Sequence, residues 1–149
     1  MSQPAPSMDA WLAGNQRGAK RLREAAVVDG QRHECAEMLR SGDWSAAGPA
    51  HLVALFAMLF ERVYGVPCGE VAGPARFYAA KMVGGLLRDE FGGDPGAVAA
   101  YLRWAWEQEA GRERWRREHH RDGGHLSYRW VLQAGRTLDE YRLSLARRR

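Results

Sequence analysis

Lysine, cysteine and long apolar runs are all scarce in this chain. Of its 22 basic side chains only Lys20 and Lys81 are lysines, so arginine supplies nearly all the positive charge. Arginine pairs bidentately with phosphate and carboxylate and stacks on planar groups, although a GC-rich coding sequence produces the same bias without any binding role. Cys35 and Cys68 are the only cysteines, too few for a disulfide framework. No stretch reaches the ~18 apolar residues that a membrane-crossing helix needs. The start of the chain also lacks the basic, apolar and small-residue order of a secretory leader. The expectation is a cytoplasmic protein with no membrane partner. Walker-type Gly-Lys loops, Gly-x-Ser-x-Gly and His-Glu-x-x-His are absent, so neither an enzyme nor a cofactor is expected.

What is present is ordinary for a globular protein: 149 residues, 46% apolar and 27% charged. That length predicts one domain, 1–149, with 1–8 a frayed lead and 147–149 a basic tail. The net charge of +4 is concentrated. Residues 1–43, 44–106 and 107–122 each balance their acids and bases. Residues 123–149 carry six arginines against Asp139 and Glu140, and so hold the whole excess. On that basis, truncation after about Ala134 is expected to remove salt-sensitive binding and spare most of the core.

Hydrophobic periodicity predicts an all-α bundle of five or six helices with a charged extended helix and a basic C-terminal helix. Asn15 is read as the cap of a first helix running to Val28, with Gly30 interrupting before a further turn that carries Cys35, Met38 and Leu39. The segment Leu52–Tyr64, apolar nearly all round from Leu52 to Phe60, has the pattern of a central buried helix. Pro49 suits its first turn, and Gly65 with Pro67 stops it. Phe77, Tyr78, Met82, Val83, Leu86 and Leu87 mark another helix, in which Gly84-Gly85 suggests a close approach or a kink. Asp94-Pro95 opens the next, with Val98, Tyr101, Leu102, Ala105 and Trp106 toward the core. Its continuation through Glu107–His120 is dense in charge, and Trp104, Gly111 and Trp115 share one face. Leu126–Leu132 is read as helix because no second strand is available to pair with it. Leu138, Tyr141 and Leu145 mark a last helix.

Four constellations bear on chemistry. His119, His120, Asp122 and His125 are competent metal ligands in a short span. Adjacent helical histidines point about 100° apart, however, and a solvated polar turn explains the cluster more simply. Cys35, His33 and Cys68 could hold zinc only if the fold joins them, and Glu61, Glu70, Asp89 and Glu90 could supply an acid–base pair only if buried. The fourth constellation is arginine interleaved with aromatics over the last third of the chain. Basic grooves with aromatic platforms bind single strands, each stacked base worth ~1–3 kcal/mol. The bland alternative makes Trp104, Trp106, Trp130 and Tyr141 core anchors and the charges a solvated face.

Tyr64-Gly65, then Glu90-Phe91-Gly92, then Val98-x-x-Tyr101-Leu102-x-Trp104, over the span Phe60–Leu132, resembles the layout of small helical replication proteins of phages and mobile elements. It is similar to the DnaD-like domain of helicase-loading proteins, whose closing Tyr-x-x-apolar-Leu motif Tyr128-Arg129-Trp130-Val131-Leu132 could match. The resemblance implies a DNA-binding adaptor without catalysis of its own. Two departures stand out: Gln133-Ala134-Gly135 replaces the tryptophan usual after that motif, and Glu107–Gly124 is extra.

The reading is therefore a non-enzymatic nucleic-acid-associated protein, contacting DNA or RNA within a larger protein assembly and compatible with oligomerisation. The contacts expected are Arg112, Arg116, Arg117, Arg129, Arg136, Arg142, Arg147, Arg148 and Arg149, with Trp115 and Trp104 as partner-binding aromatics. A structural subunit binding mainly protein is the alternative. A small metal nuclease using His119, His120, Asp122 and His125 is the third class.

Overall fold

The computed structural model describes residues 7–148, apart from the side chains of Leu12 and Ala13. Residues 1–6 of the expected 1–8 lead, and Arg149, lie outside the described residues, whereas Ser7 caps α1 and Met8 begins it. Six α-helices and one 3-10 turn follow in order: α1 Met8–Ser41, α2 Pro49–Tyr64, the 3-10 turn Gly69–Val71, α3 Ala75–Glu90, α4 Pro95–Glu118, α5 Tyr128–Val131 and α6 Arg136–Arg147. No strand occurs among the described residues, and the all-α bundle is as expected.

α2 is the centre. Its residues Leu52 to Ala57, with Phe60 and Tyr64, are buried, and α1, α3 and α4 all pack on it. An all-round apolar helix can only be satisfied by neighbours on several sides. Phe56, Phe60 and Tyr64 meet Trp106 of α4 edge-on at 5.2, 5.7 and 5.6 Å between ring centroids. Such pairs add ~0.5–1.5 kcal/mol each beyond area burial. Tyr101 donates its hydroxyl to the Val131 carbonyl at 2.8 Å, tying α4 to α5. Glu70 on the 3-10 turn accepts from Ser127 Oγ and from the Tyr128 amide, so one carboxylate holds the start of α5.

The first helix differs from its expected form. It is capped by Ser7, whose hydroxyl accepts from the Ala10 amide, and runs unbroken through Asn15 and Gly30 to a left-handed Gly42. A glycine in a helix interior costs about 1 kcal/mol, which does not by itself break a helix anchored at its far end. That anchor is Cys35, fully buried, with Met38 and Leu39 beside it. Arg32 makes a two-pronged pair with Glu61 at 2.8 and 2.9 Å. His51 Nδ1 accepts from the Gly48 amide, which places its proton on Nε2, and Nε2 donates to Glu34 at 2.6 Å. The described side chains from Met8 to Val27 are exposed except at Gly18, so this half of α1 stands clear of the body.

Other expectations shift too. Phe77 and Tyr78 share the helical spacing of α3 but face solvent. The Gly84-Gly85 pair does not interrupt α3, and a Cβ at Gly84 would meet Pro49 of α2 at an ordinary 3.8 Å. Trp130 is 67% exposed and is no core anchor. Most consequentially, α6 belongs to the core. Leu138 and Tyr141 are buried, and Tyr141 packs on Tyr101 and Trp104 at 5.2 and 5.3 Å. Removing the chain after Ala134 would therefore open the core rather than spare it.

Candidate anion-binding groove

α4 carries three functions on three faces. Val98, Tyr101, Leu102, Ala105, Trp106 and Glu109 face the core. Trp104 and Trp115 lie eleven residues apart at nearly the same azimuth, as expected, but they meet different surroundings. At the level of Trp104 the helix is covered by Tyr141 of α6, so Trp104 is a packing residue rather than a free partner contact. α4 then runs past α6, and Trp115 is 52% exposed with one ring face stacked on His119 at 4.3 Å.

The third face recurs at Arg103, Glu107, Ala110, Arg114 and Arg117. With Leu59, Arg62 and Val63 from the end of α2 it lines a groove of about 620 Å3. Four arginines face two glutamates there, Glu107 and Glu113. Arg117 pairs with Glu113 at 3.2 Å and reaches the Val63 carbonyl of α2 at 3.4 Å, so it stitches the groove walls together. Arg62, Arg103 and Arg114 have no carboxylate within 4.0 Å among the described residues. Trp106 also lines the groove, and its indole Nε1, fully buried, has no acceptor. Buried donors are nearly always paired, which makes an orphaned indole N–H beside an arginine-lined groove a feature to explain.

The expected arginine contacts divide under this geometry. Arg116 is mostly buried and donates to Glu109 and to Glu113, the latter at 2.8 Å. Its guanidinium holds Glu113 below the usual carboxylate range. Gly123 lies directly over it, since a Cβ there would sit 2.5 Å from the Arg116 side chain. Arg116 is thus a structural cation and not a free phosphate ligand. Arg142 donates to the carboxylate and the carbonyl of Glu90, pinning α6 to the end of α3. Arg136 pairs with Glu140 at 3.0 Å on the same helix. Arg112 stands 3.9 Å from Glu109. Arg129 leans over the Tyr128 ring at 5.8 Å. Arg147, the last residue of α6, and Arg148, its C-cap, are exposed.

Sequence order hid two cationic surfaces. Arg62 and Arg103 lie in a stretch whose charges cancel in number, yet folding leaves both unpaired. On the free half of α1, Arg17, Lys20, Arg21 and Arg23 are likewise exposed and without a carboxylate within 4.0 Å among the described residues. Their clustering is visible in the sequence, whereas their lack of partners is not.

The histidines disperse. His119 Nδ1 lies 2.9 Å from the Trp115 carbonyl oxygen, and His125 stacks on Tyr64 at 4.1 Å. His120 takes a left-handed backbone (φ 51°) at the end of α4. No group of three His, Cys, Asp or Glu side chains is gathered as a metal site among the described residues. Cys35 and Cys68 are both buried, and burial pushes each thiol up to about 11, which suits inert packing groups. Glu61, Glu70, Asp89 and Glu90 each hold a separate structural partner. No helix among the described residues is long and apolar enough to cross a membrane. Comparisons with protein-family models, curated proteins and solved structures returned no match.

Proposed function

We propose that this is a non-enzymatic nucleic-acid-associated protein that engages the phosphate backbone through the α2–α4 groove. One observation carries the reading: Arg62, Arg103 and Arg114 converge on a groove without carboxylate partners within 4.0 Å among the described residues. Phosphate oxygens supply the missing partners. Arg103 and Arg114 are eleven residues apart on one helix, about 16 Å along its axis, a span of several phosphates. The basic half of α1 adds a second contact surface of the same sign.

A replication or helicase-loading adaptor, the role that the DnaD-like motifs imply, is one form of this activity. The residues carrying that resemblance, including Tyr101, Leu102, Tyr128, Val131 and Leu132, are buried and therefore speak to the fold rather than to the contact surface. A protein-binding subunit is the second reading, favoured by the exposed rings of Trp11, Trp115 and Trp130.

The test is a titration of labelled single-stranded and duplex DNA and RNA across a salt series. Each arginine–phosphate contact contributes roughly 0.7–0.9 to the slope of log affinity against log salt. The Arg103→Ala/Arg114→Ala double variant should lower that slope by about 1.4–1.8. No binding by the wild type at low salt, or an unchanged slope in the double variant, would sink the reading.

A further inference from the structure

A second concavity lies away from the arginine groove, between α1, α2 and α3, with a volume of about 330 Å3. Its floor is one face of α2, made of Ala50, Val53, Ala54 and Ala57 at i, i+3, i+4 and i+7. Side chains this small leave the space between α1 and α3 open, although both helices pack on α2. Protein interiors otherwise fill to crystal density, so apolar walls left facing a gap of this size invite an occupant.

The polar groups at its edge define what that occupant is. Arg32 lines the cavity but is committed to Glu61. Arg76 from α3 is half-buried, lies over the Phe77 ring at 4.7 Å, and has no carboxylate within 4.0 Å among the described residues. Asp29 also lines the wall and would repel a second negative charge. An apolar chamber with one convergent unpaired cation is the usual form of a small-ligand site. Size follows from volume: a cavity of about 150 Å3 accepts one benzene, so this one accepts roughly two fused rings.

We propose that the cavity binds a small aromatic monocarboxylate, its rings against the alanine wall and Phe77, and its carboxylate on Arg76. This site is independent of the nucleic-acid reading and uses none of its arginines.

The probe is 2-naphthoate, titrated into the full chain by calorimetry, with its methyl ester as the neutral control. Saturable one-to-one binding of the acid is expected. Arg76→Gln should weaken the acid roughly tenfold or more, the usual worth of a charged hydrogen bond, and leave the ester unchanged. Ala50→Leu and Ala80→Leu fill the cavity from its α2 floor and its α3 wall, at half-buried positions. Each should abolish binding of both compounds while the circular-dichroism melt stays intact. Absence of saturable binding to the wild type overturns the proposal, as does binding that survives both filled variants. Equal affinity of Arg76→Gln for the acid overturns the carboxylate assignment. A dimer seen by light scattering that either filled variant dissolves would make a second copy of the chain the occupant, and would also overturn it.

Discussion

Replacing Arg116 with methionine isolates the charge network built on Glu109. Glu109 is the only buried charged residue among the described residues, its side chain 5% exposed against 17% for Arg116. Removing one partner of a buried pair costs ~3–5 kcal/mol, because the other charge is left desolvated and unpaired. Arg112, 3.9 Å from Glu109, remains as a weaker cation and places the expectation near the lower end, at about 3 kcal/mol. For a chain of this size that is a fall of about 10 °C in Tm. The double variant Glu109→Leu/Arg116→Met removes both charges and should return to within about 1 kcal/mol of the wild type. Urea denaturation of the wild type, both single variants and the double variant measures these costs. A single-variant cost below about 1 kcal/mol, or two single costs that simply add, would refute the argument.

Three further outcomes are expected. Truncation after Ala134 removes Leu138 and Tyr141 from the core, and should destabilise by at least about 3 kcal/mol in urea, with near-ultraviolet dichroism of the aromatics lost. His120→Gly should stabilise by roughly 0.5–1 kcal/mol, since the left-handed position closing α4 (the Arg121 amide donates to the Arg116 carbonyl at 2.8 Å) is one where glycine carries no Cβ penalty; an unchanged midpoint would count against it. The Arg32 hydrogen bonds hold the Glu61 carboxyl below its ordinary value, so the pair stabilises above the unfolded carboxylate range and its contribution is lost as pH falls through the lowered value. Both side chains are about a third exposed, so Arg32→Met should cost about 0.5–1 kcal/mol at pH 7 and nothing near pH 2 in the same titration.

Helix existence was legible because apolar spacing in α2, α3 and α4 reports burial directly, and Pro49, Gly65 and Asp94-Pro95 mark ends by their backbone chemistry alone. The length of α1 was not legible. Gly30 reads as a break, and only the packing of Cys35 and the Arg32–Glu61 bridge, 29 positions apart in sequence, outweighs its cost. The exposure of Phe77 and Tyr78 was hidden for a related reason, since periodicity locates a face but not where a neighbouring helix ends. For the site, summing charge along the chain pointed to the C-terminal segment. Folding instead ties Arg136 and Arg142 to Glu140 and Glu90, buries Arg116 on two glutamates, and frees Arg62 and Arg103 from a stretch that sums to zero. The relevant quantity is charge without a partner, which depends on contacts between distant segments.

The uncovered half of α1 also governs how the molecule moves through water. About twenty residues of helix extend about 30 Å, close to the width of a small domain. Frictional drag grows with length far faster than with mass, so a monomer of 16.7 kDa should leave a sizing column ahead of globular standards of its weight. Its rotation should be anisotropic, slowest for tumbling of the α1 axis. A fluorophore attached near Ser7 would follow that end-over-end motion, and its polarisation decay would lengthen abruptly when the basic half of α1 lies down on a polyanion.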